Sequence, residues 1–215
     1  MSISRRKILL GLSVLLSASA YRNVSALIAT PAQTSGPFYP SQLPLDDDND
    51  LTRVVGQSGS AKGQITDLSG KIIDINGNPL PGLRIEIWQC DAHGRYRHSQ
   101  ENGTNPIDSN FQGHGFTKAS KQGTYLFRTI RPVAYPGRTP HIHVAVFSGN
   151  SLPFVTQLYI AGEPRNTNDF IYRQTPADKR HLITSDFSPT HYSGAALQAN
   201  FDIILDRTNG IPFQR

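Results

Sequence analysis

Four residues of this 215-residue chain have the types and spacing to hold one metal ion: Tyr96, Tyr135, His141 and His143. The two histidines sit in Thr139-Pro-His-Ile-His-Val-Ala-Val-Phe147, an apolar, β-branched run that predicts a strand. Residues two apart on a strand share a face, so both imidazoles project to the same side. Tyr135 lies six residues before His141 in a Tyr-Pro-Gly-Arg turn, close enough to fold back beside them. Tyr96, in Gly94-Arg-Tyr-Arg-His98, is expected from an earlier strand end. Two imidazoles and two potential phenolates suit a hard trivalent ion, and anionic oxygen ligands make ferric iron the abundant candidate. Taken singly, each residue has an ordinary reading: a lone tyrosine is usually a packed ring with its hydroxyl hydrogen-bonded. The weight rests on the four together.

The elements that must position these residues read as short strands between turns. Lys71–Ile75 leads into Asn76-Gly-Asn-Pro-Leu-Pro-Gly82, dense in turn formers. Leu83–Ile87 alternates apolar and polar residues, as a half-buried strand does. Gly115–Lys118 and Thr124–Ile130 flank Lys121-Gln-Gly123 and predict a hairpin. Strands over 139–147, 154–160 and 201–205 complete the set. Many short strands with frequent turns predict an all-β protein, a two-sheet β-sandwich with long loops around the metal site. Residues 61–215 are the expected sandwich domain, and 27–60, with four prolines and little periodicity, an extended N-terminal arm. The acidic run Asp46–Asp50 lacks the glycine and glutamate that a calcium loop needs at its sixth and twelfth positions and reads as a solvated loop. Cys90 reads as a small packed residue.

Residues 1–26 read as a targeting segment. Arg5-Arg6-Lys7 precedes a short apolar run and then Ser17-Ala-Ser-Ala20, the order of a cleavable signal, and the paired arginines suggest the twin-arginine route. The protein is therefore expected to be exported, to the periplasm or beyond, with no stable membrane span in its mature form. This segment holds four cations (Arg5, Arg6, Lys7, Arg22) and no acid, so its removal takes the net charge from +5 to +1 (5 − 4). The basic balance thus belongs to the leader and gives no case for nucleic-acid binding. No glycine-rich phosphate loop and no serine nucleophile elbow is present in the sequence.

Seven segments, in order across roughly residues 34 to 205, resemble the intradiol ring-cleavage dioxygenases, and most closely their protocatechuate 3,4-dioxygenase branch. They are Thr34-Ser-Gly-Pro-Phe-Tyr39, Pro81-Gly-Leu-Arg-Ile-Glu-Ile-Trp-Gln89, Gly94-Arg-Tyr-Arg-His98, Phe127-Arg-Thr-Ile-Arg-Pro132, Tyr135-Pro136, Arg138-Thr-Pro-His-Ile-His143 and Thr156-Gln-Leu-Tyr159. The resemblance implies that Tyr96, Tyr135, His141 and His143 are the protein ligands of a non-haem Fe(III), with a solvent hydroxide as fifth ligand. It implies a catechol-type substrate cleaved by O2 between its hydroxylated carbons to a cis,cis-muconate-type diacid. It gives catalytic roles to Arg138, to Tyr135 (the tyrosinate that substrate displaces) and to Gln157, and sets Gly36, Pro37 and Trp88 beside the substrate. It also implies assembly, as a homo-oligomer or with a related partner chain. One departure stands out: the loop from Tyr135 to His141 is short, and Gly137 replaces a tryptophan common in the family, which implies a more open site. His98 follows the Tyr96 motif without being expected as a ligand, and His93, His114, His181 and His191 read as surface or structural. The rival from another class is a secreted β-sandwich module that binds a phenolic or a metal without turnover, since a fold does not fix a function.

Overall fold

The computed structural model describes residues 26–206 apart from 42, 44, 45, 47, 150, 151, 192 and 193. The targeting segment expected over residues 1–26 lies, but for Ala26, outside the described residues.

Two five-stranded sheets form the body. In the first, β1 (Ile65–Asp74) pairs antiparallel with β4 (Thr124–Ile130) on one side, and parallel with β9 (Leu197–Asn200) and β10 (Ile203–Leu205) on the other. A two-residue strand, β8 (Ser188–Pro189), extends it beyond β9. The second sheet runs β3 (His114–Lys118), β2 (Arg84–Trp88), β5 (His141–Phe147), β6 (Phe154–Ile160) and β7 (Thr184–Ser185). Its pairs are antiparallel until the last, β6–β7, which is parallel.

The alternation of side chains divides each strand of the second sheet between two environments. Ile85, Ile87, Ile142, Val144, Val146, Phe154 and Leu158 join Leu68, Ile72, Phe127, Ile130 and Ile203 of the first sheet in one buried apolar core. The intervening residues point outward, and those nearest the site, Glu86, Trp88, His141, His143 and Gln157, are buried as well. Trp88 and Ala145 form a second cluster with Cys90 and Tyr96, packed by Phe38, Tyr39, Val133, Tyr135, Phe147 and Val155. A sheet buried on both faces must be covered on the outer one. The cover consists of the N-terminal arm, the loop from β2 to β3 and the turn before β5. Backbone and side-chain bonds lay the arm along β6: Gln33 N–H donates to Val155 O (2.8 Å), Thr156 Oγ1 to Pro31 O (2.8 Å) and Gln157 Nε2 to Thr34 O (2.9 Å).

The expected sandwich is therefore present, and most strands fall where the periodicity places them. The predicted hairpin over 115–130 is not. Gly115–Lys118 pairs with β2 in one sheet and Thr124–Ile130 with β1 in the other, so the Lys121–Gly123 turn carries the chain between sheets. Turn-forming residues mark where a chain reverses, but not whether its next strand stays in the same sheet. Two 3-10 segments, Pro164–Asn168 and Ala177–Ile183, and a single-turn helix α1 (Phe170–Gln174) follow β6. Asp169 caps α1, its Oδ1 accepting from the N–H groups of Ile171 (3.0 Å) and Tyr172 (2.9 Å). The acidic run is tied to its own backbone: Asp48 and Asp50 accept from the N–H groups of Asp50 and Thr52.

Candidate metal centre

The four predicted ligands meet on the outer face of the second sheet. His141 and His143 alternate with core residues Ile142 and Val144, so both rings leave the core, and both are buried. Their ring centroids are 4.8 Å apart. Tyr135 precedes a turn in which Pro136 and Gly137 are the central residues, Gly137 at φ +83°, closed by Arg138 N–H to Tyr135 O (3.0 Å). That is the pattern of a turn needing a left-handed residue at its third position. It returns the Tyr135 ring to 5.6 Å from His141. Tyr96 is on the loop between β2 and β3 rather than at a strand end, its ring 5.5 Å from Tyr135 and 6.3 Å from His143. Carboxylates brace this loop in place of a ladder. Asp91 accepts from the N–H groups of His93, Arg95 and Asp108, and Glu101 from those of Tyr96 and Gly103. Phe38 of the arm stacks on Tyr96 at 4.7 Å.

The donor atoms fit a cation. His141 Nδ1 lies 2.7 Å from Thr139 O. A carbonyl only accepts, so Nδ1 carries the proton and Nε2 presents a bare lone pair, as metal-binding histidines do. That Nε2 is 3.2 Å from His143 Nε2. Tyr96 Oη is buried without a hydrogen-bond partner among the described residues, an arrangement costly for a phenol unless another group completes it. Burial, aided by the charge of Arg138, pushes the His141 pKa down to about 3, and burial with His141 beside it holds His143 well below its usual range. Both imidazoles are thus neutral and able to ligate. Burial raises the pKa of Tyr96 well above the ordinary phenol value, and that of Tyr135 too, where Arg138 opposes it. A trivalent cation at the two hydroxyl oxygens reverses that preference towards phenolate.

Arg138 is held by its neighbours. Its Nε donates to Asp169 Oδ2 (2.8 Å) and its Nη2 to Gln157 Oε1 (2.6 Å), while Nη1 faces Tyr135 Oη at 3.5 Å. Asp169 Oδ2 also accepts from Thr139 N–H (3.0 Å), and Thr139 Oγ1 donates to Asn166 Oδ1 (2.8 Å). Gln157 is engaged at both ends: Oε1 takes Arg138 and Tyr159 Oη (2.9 Å), and Nε2 donates to Thr34 O. It ties the arm to Arg138. Gly36 lies against His143, and a Cβ built on it would sit 3.2 Å from the ring's Cε1; with φ +67° it also needs glycine's backbone freedom. Pro37 follows it at the exposed rim. Trp88, expected at the substrate, is buried and lies flat on His143, centroids 4.8 Å apart and planes 6° from parallel. It also floors a cleft of about 740 Å³ whose walls include arm residues 32–35, Ala145, Phe147 and Val155.

Of the remaining histidines, His114 is buried and structural, with Nε2 3.2 Å from Glu86 Oε2. Sequence reasoning missed Asp169, Tyr159, Asn166, Phe38 and Glu86. Asp169 carried a signal, an aspartate just before Phe-Ile-Tyr, the position of a helix N-cap. Phe38, Glu86 and Tyr159 lie inside the segments that carry the family resemblance, and Asn166 carried no signal.

Two buried imidazoles, two tyrosine hydroxyls and a clamped arginine thus share one face of a β-sandwich sheet. Comparison with known proteins makes the class specific. A family model described as Dioxygenase matches residues 34–207. The chain is 36% identical over 179 residues to the protocatechuate 3,4-dioxygenase beta chain of Burkholderia cepacia, covering 78% of this chain and 75% of that one. It is 28% identical to a catechol 1,2-dioxygenase of Acinetobacter baylyi over 80% of this chain, but spans only 57% of that enzyme's length. Among solved structures, the dioxygenase domain of a dioxygenase–carbohydrate-binding fusion from Streptomyces sp. SirexAA-E superposes with a TM-score of 0.63 at 28% identity, covering 83% of this chain and 99% of that one. The chain belongs to the intradiol ring-cleavage dioxygenase family.

Proposed function

We propose that this protein is a non-haem Fe(III) enzyme that opens a catechol-type ring between its two hydroxylated carbons with O2, giving a cis,cis-muconate-type diacid. The observation that carries this reading is the convergence of His141 Nε2, His143 Nε2 and the unpartnered Tyr96 Oη beside Tyr135. Tyr96, Tyr135, His141 and His143 would hold the ion. When bound, it supplies Lewis acidity that fixes a catecholate and makes its ring reactive towards O2.

The chain's own groups do the rest. Tyr135 Oη, half-buried at the edge of the ring cluster, is placed to take a proton from an incoming catechol hydroxyl. Burial raises the pKa of this phenol when no ion is bound, so its phenolate would be a strong base once it no longer holds the ion. Arg138 keeps a permanent positive charge in a buried site. Asp169 and Gln157 take its Nε and Nη2, so the face directed at Tyr135 remains for negative charge that develops on the ring, a preorganised electrostatic role. Burial of the cluster beneath the arm excludes water from the histidines. Gly36 and Pro37 border the substrate, and Gly137, where an added Cβ would meet nothing within 4 Å, leaves that rim open.

The Arg5-Arg6 segment supports export, tested by finding the mature N-terminus in a periplasmic or culture fraction. For the activity, the purified protein reconstituted with ferric iron is expected to show a visible tyrosinate charge-transfer band. That band should shift on anaerobic addition of catechol and relax as admitted air is consumed. A colourless iron-loaded protein with no shift would move the reading to a β-sandwich that binds without turnover.

A further inference from the structure

The two histidines are oriented by different means. His141 is fixed in the ordinary way, through Nδ1–H to the Thr139 carbonyl. His143 has no such bond among the described residues: its Nδ1 is buried without a partner there. A ligand whose second nitrogen is unanchored is free to rotate about its χ2 unless packing stops it. Here packing does so on two sides. Trp88 lies flat on the ring at 4.8 Å and 6°, and the Gly36 backbone approaches Cε1 so closely that a Cβ would stand 3.2 Å away.

Trp88 in turn is fixed by a buried polar cluster that the metal centre does not itself use. Tyr39 meets the indole edge-on, centroids 5.0 Å apart and planes at 88°. Tyr39 Oη donates to Glu86 Oε2 (2.8 Å), and the same oxygen lies 3.2 Å from His114 Nε2. Arg84 Nε donates to Glu86 Oε1 (2.7 Å) while its guanidinium stacks over Phe116 at 3.8 Å. Glu86 is thus a buried carboxylate held by three side chains on three elements: the arm, β2 itself and β3. The sheet register makes the coupling direct. His114, Trp88, His143 and Gln157 are successive cross-strand partners in a single row across β3, β2, β5 and β6.

We propose that Trp88 is a positioning residue for the metal ligand His143, and that Tyr39, anchored on Glu86, is a positioning residue for Trp88. The inference rests on the ferric site proposed above. Stacking replaces the missing hydrogen bond: it sets the plane of the imidazole and so aims Nε2 at the position His141 Nε2 already faces. The arm acts twice in this arrangement, through Gly36 on the ring's edge and through Tyr39 behind the indole.

The test is ferric-ion affinity by chelator competition, with the electron paramagnetic resonance of the bound ion, on wild type, Trp88→Leu, Trp88→Phe and Tyr39→Phe. Each metal-free variant is melted alongside as a check on folding. Trp88→Leu, which fills space but does not stack, is expected to weaken iron binding about 10–100-fold, the loss typical of a lost orienting contact, and to broaden the resonance. Trp88→Phe restores a flat ring and should recover most of the affinity. Tyr39→Phe keeps the ring, loses the bond to Glu86 and should fall between. Trp88 is the chain's one tryptophan, so in wild type and Tyr39→Phe its fluorescence should quench as iron binds. Affinity unchanged to within about twofold in Trp88→Leu, against the expected loss, with an unaltered resonance, would overturn the positioning role. Should Trp88→Leu not fold, equal affinity and resonance in Trp88→Phe, Tyr39→Phe and wild type would overturn the Tyr39 half, and absence of quenching in wild type the Trp88 half. A wild-type protein that takes up no ferric ion removes the functional reading, and the inference with it.

Discussion

At the scale of single residues the site depends on a carboxylate that touches no metal donor. Asp169 uses all its acceptor capacity: Oδ1 caps α1, and Oδ2 holds Arg138 Nε and Thr139 N–H. Arg138 in turn is 9% exposed, so its charge has little water to fall back on. Breaking a buried pair by removing one partner costs about 3–5 kcal/mol, because the surviving charge stays buried and unpaired. Asp169→Ala is expected to lose stability of that order in urea unfolding, and to lose turnover on catechol more than that loss explains at temperatures where it remains folded. A variant with wild-type stability would mean that Arg138 finds another partner. The converse holds for Gly137, where added side chains meet open space but a positive φ; its cost is backbone strain rather than crowding.

At the scale of elements, the outer face of β5 and β6 is where local pattern stops being informative. Alternation predicted which residues share a face, and His141 and His143 share one. The Tyr-Pro-Gly-Arg turn and the strands over 124–130, 141–147 and 154–160 were legible for the same reason: their signals lie within a few residues of each other. The placement of Tyr96 was not, because its loop is fixed by Asp91, Glu101 and Asp108 accepting scattered N–H groups, a pattern without a period. The false hairpin over 115–130 failed because partner choice between sheets is a long-range property. Asp169 sits 31 residues beyond Arg138, and only the fold reveals that they meet. Gln157 shows how such elements are joined. Gln157→Leu would take one partner each from Arg138 Nη2, Tyr159 Oη and Thr34 O. Tyr159 Oη keeps Gln33 Oε1, so the main loss is the short bond to the buried Arg138, and a buried polar group left unpaired costs about 1–3 kcal/mol. The arm should then loosen first. Faster amide exchange at Gln33, whose N–H bonds Val155 O, with exchange in β1 unchanged, is the expected outcome; uniform acceleration over both sheets would show that the arm is not a separate unit.

At the scale of the molecule, the two faces of the second sheet are stabilised by different physics, and pH separates them. The inner face is apolar and does not titrate. The outer face contains Glu86. Burial pushes its pKa up, but the bonds from His114 and Tyr39 and the nearby charge of Arg84 outweigh that push and hold it below the ordinary carboxylate value. A carboxylate with a depressed folded pKa contributes stability that is fully present above its unfolded pKa, about 4.3, and is lost as pH falls through the folded value. Asp169 has the same sign, burial opposing and the bond from Arg138 prevailing, but it stays intact in a Glu86 variant. Glu86→Gln removes the titrating group while keeping the shape and one acceptor oxygen. The metal-free variant is therefore expected to unfold more easily than wild type at neutral pH. The gap should narrow as pH is lowered through the acid range, because wild type progressively loses what the variant never had. Paired urea titrations from neutral pH down to the acid limit of folding, followed by Trp88 fluorescence and by far-ultraviolet circular dichroism, measure it. A gap that stays constant across that range would mean that Glu86 acts by shape alone. A gap that closes in fluorescence ahead of dichroism would place the acid-sensitive step in the row that carries Trp88 and His143, while the apolar core between the sheets still holds.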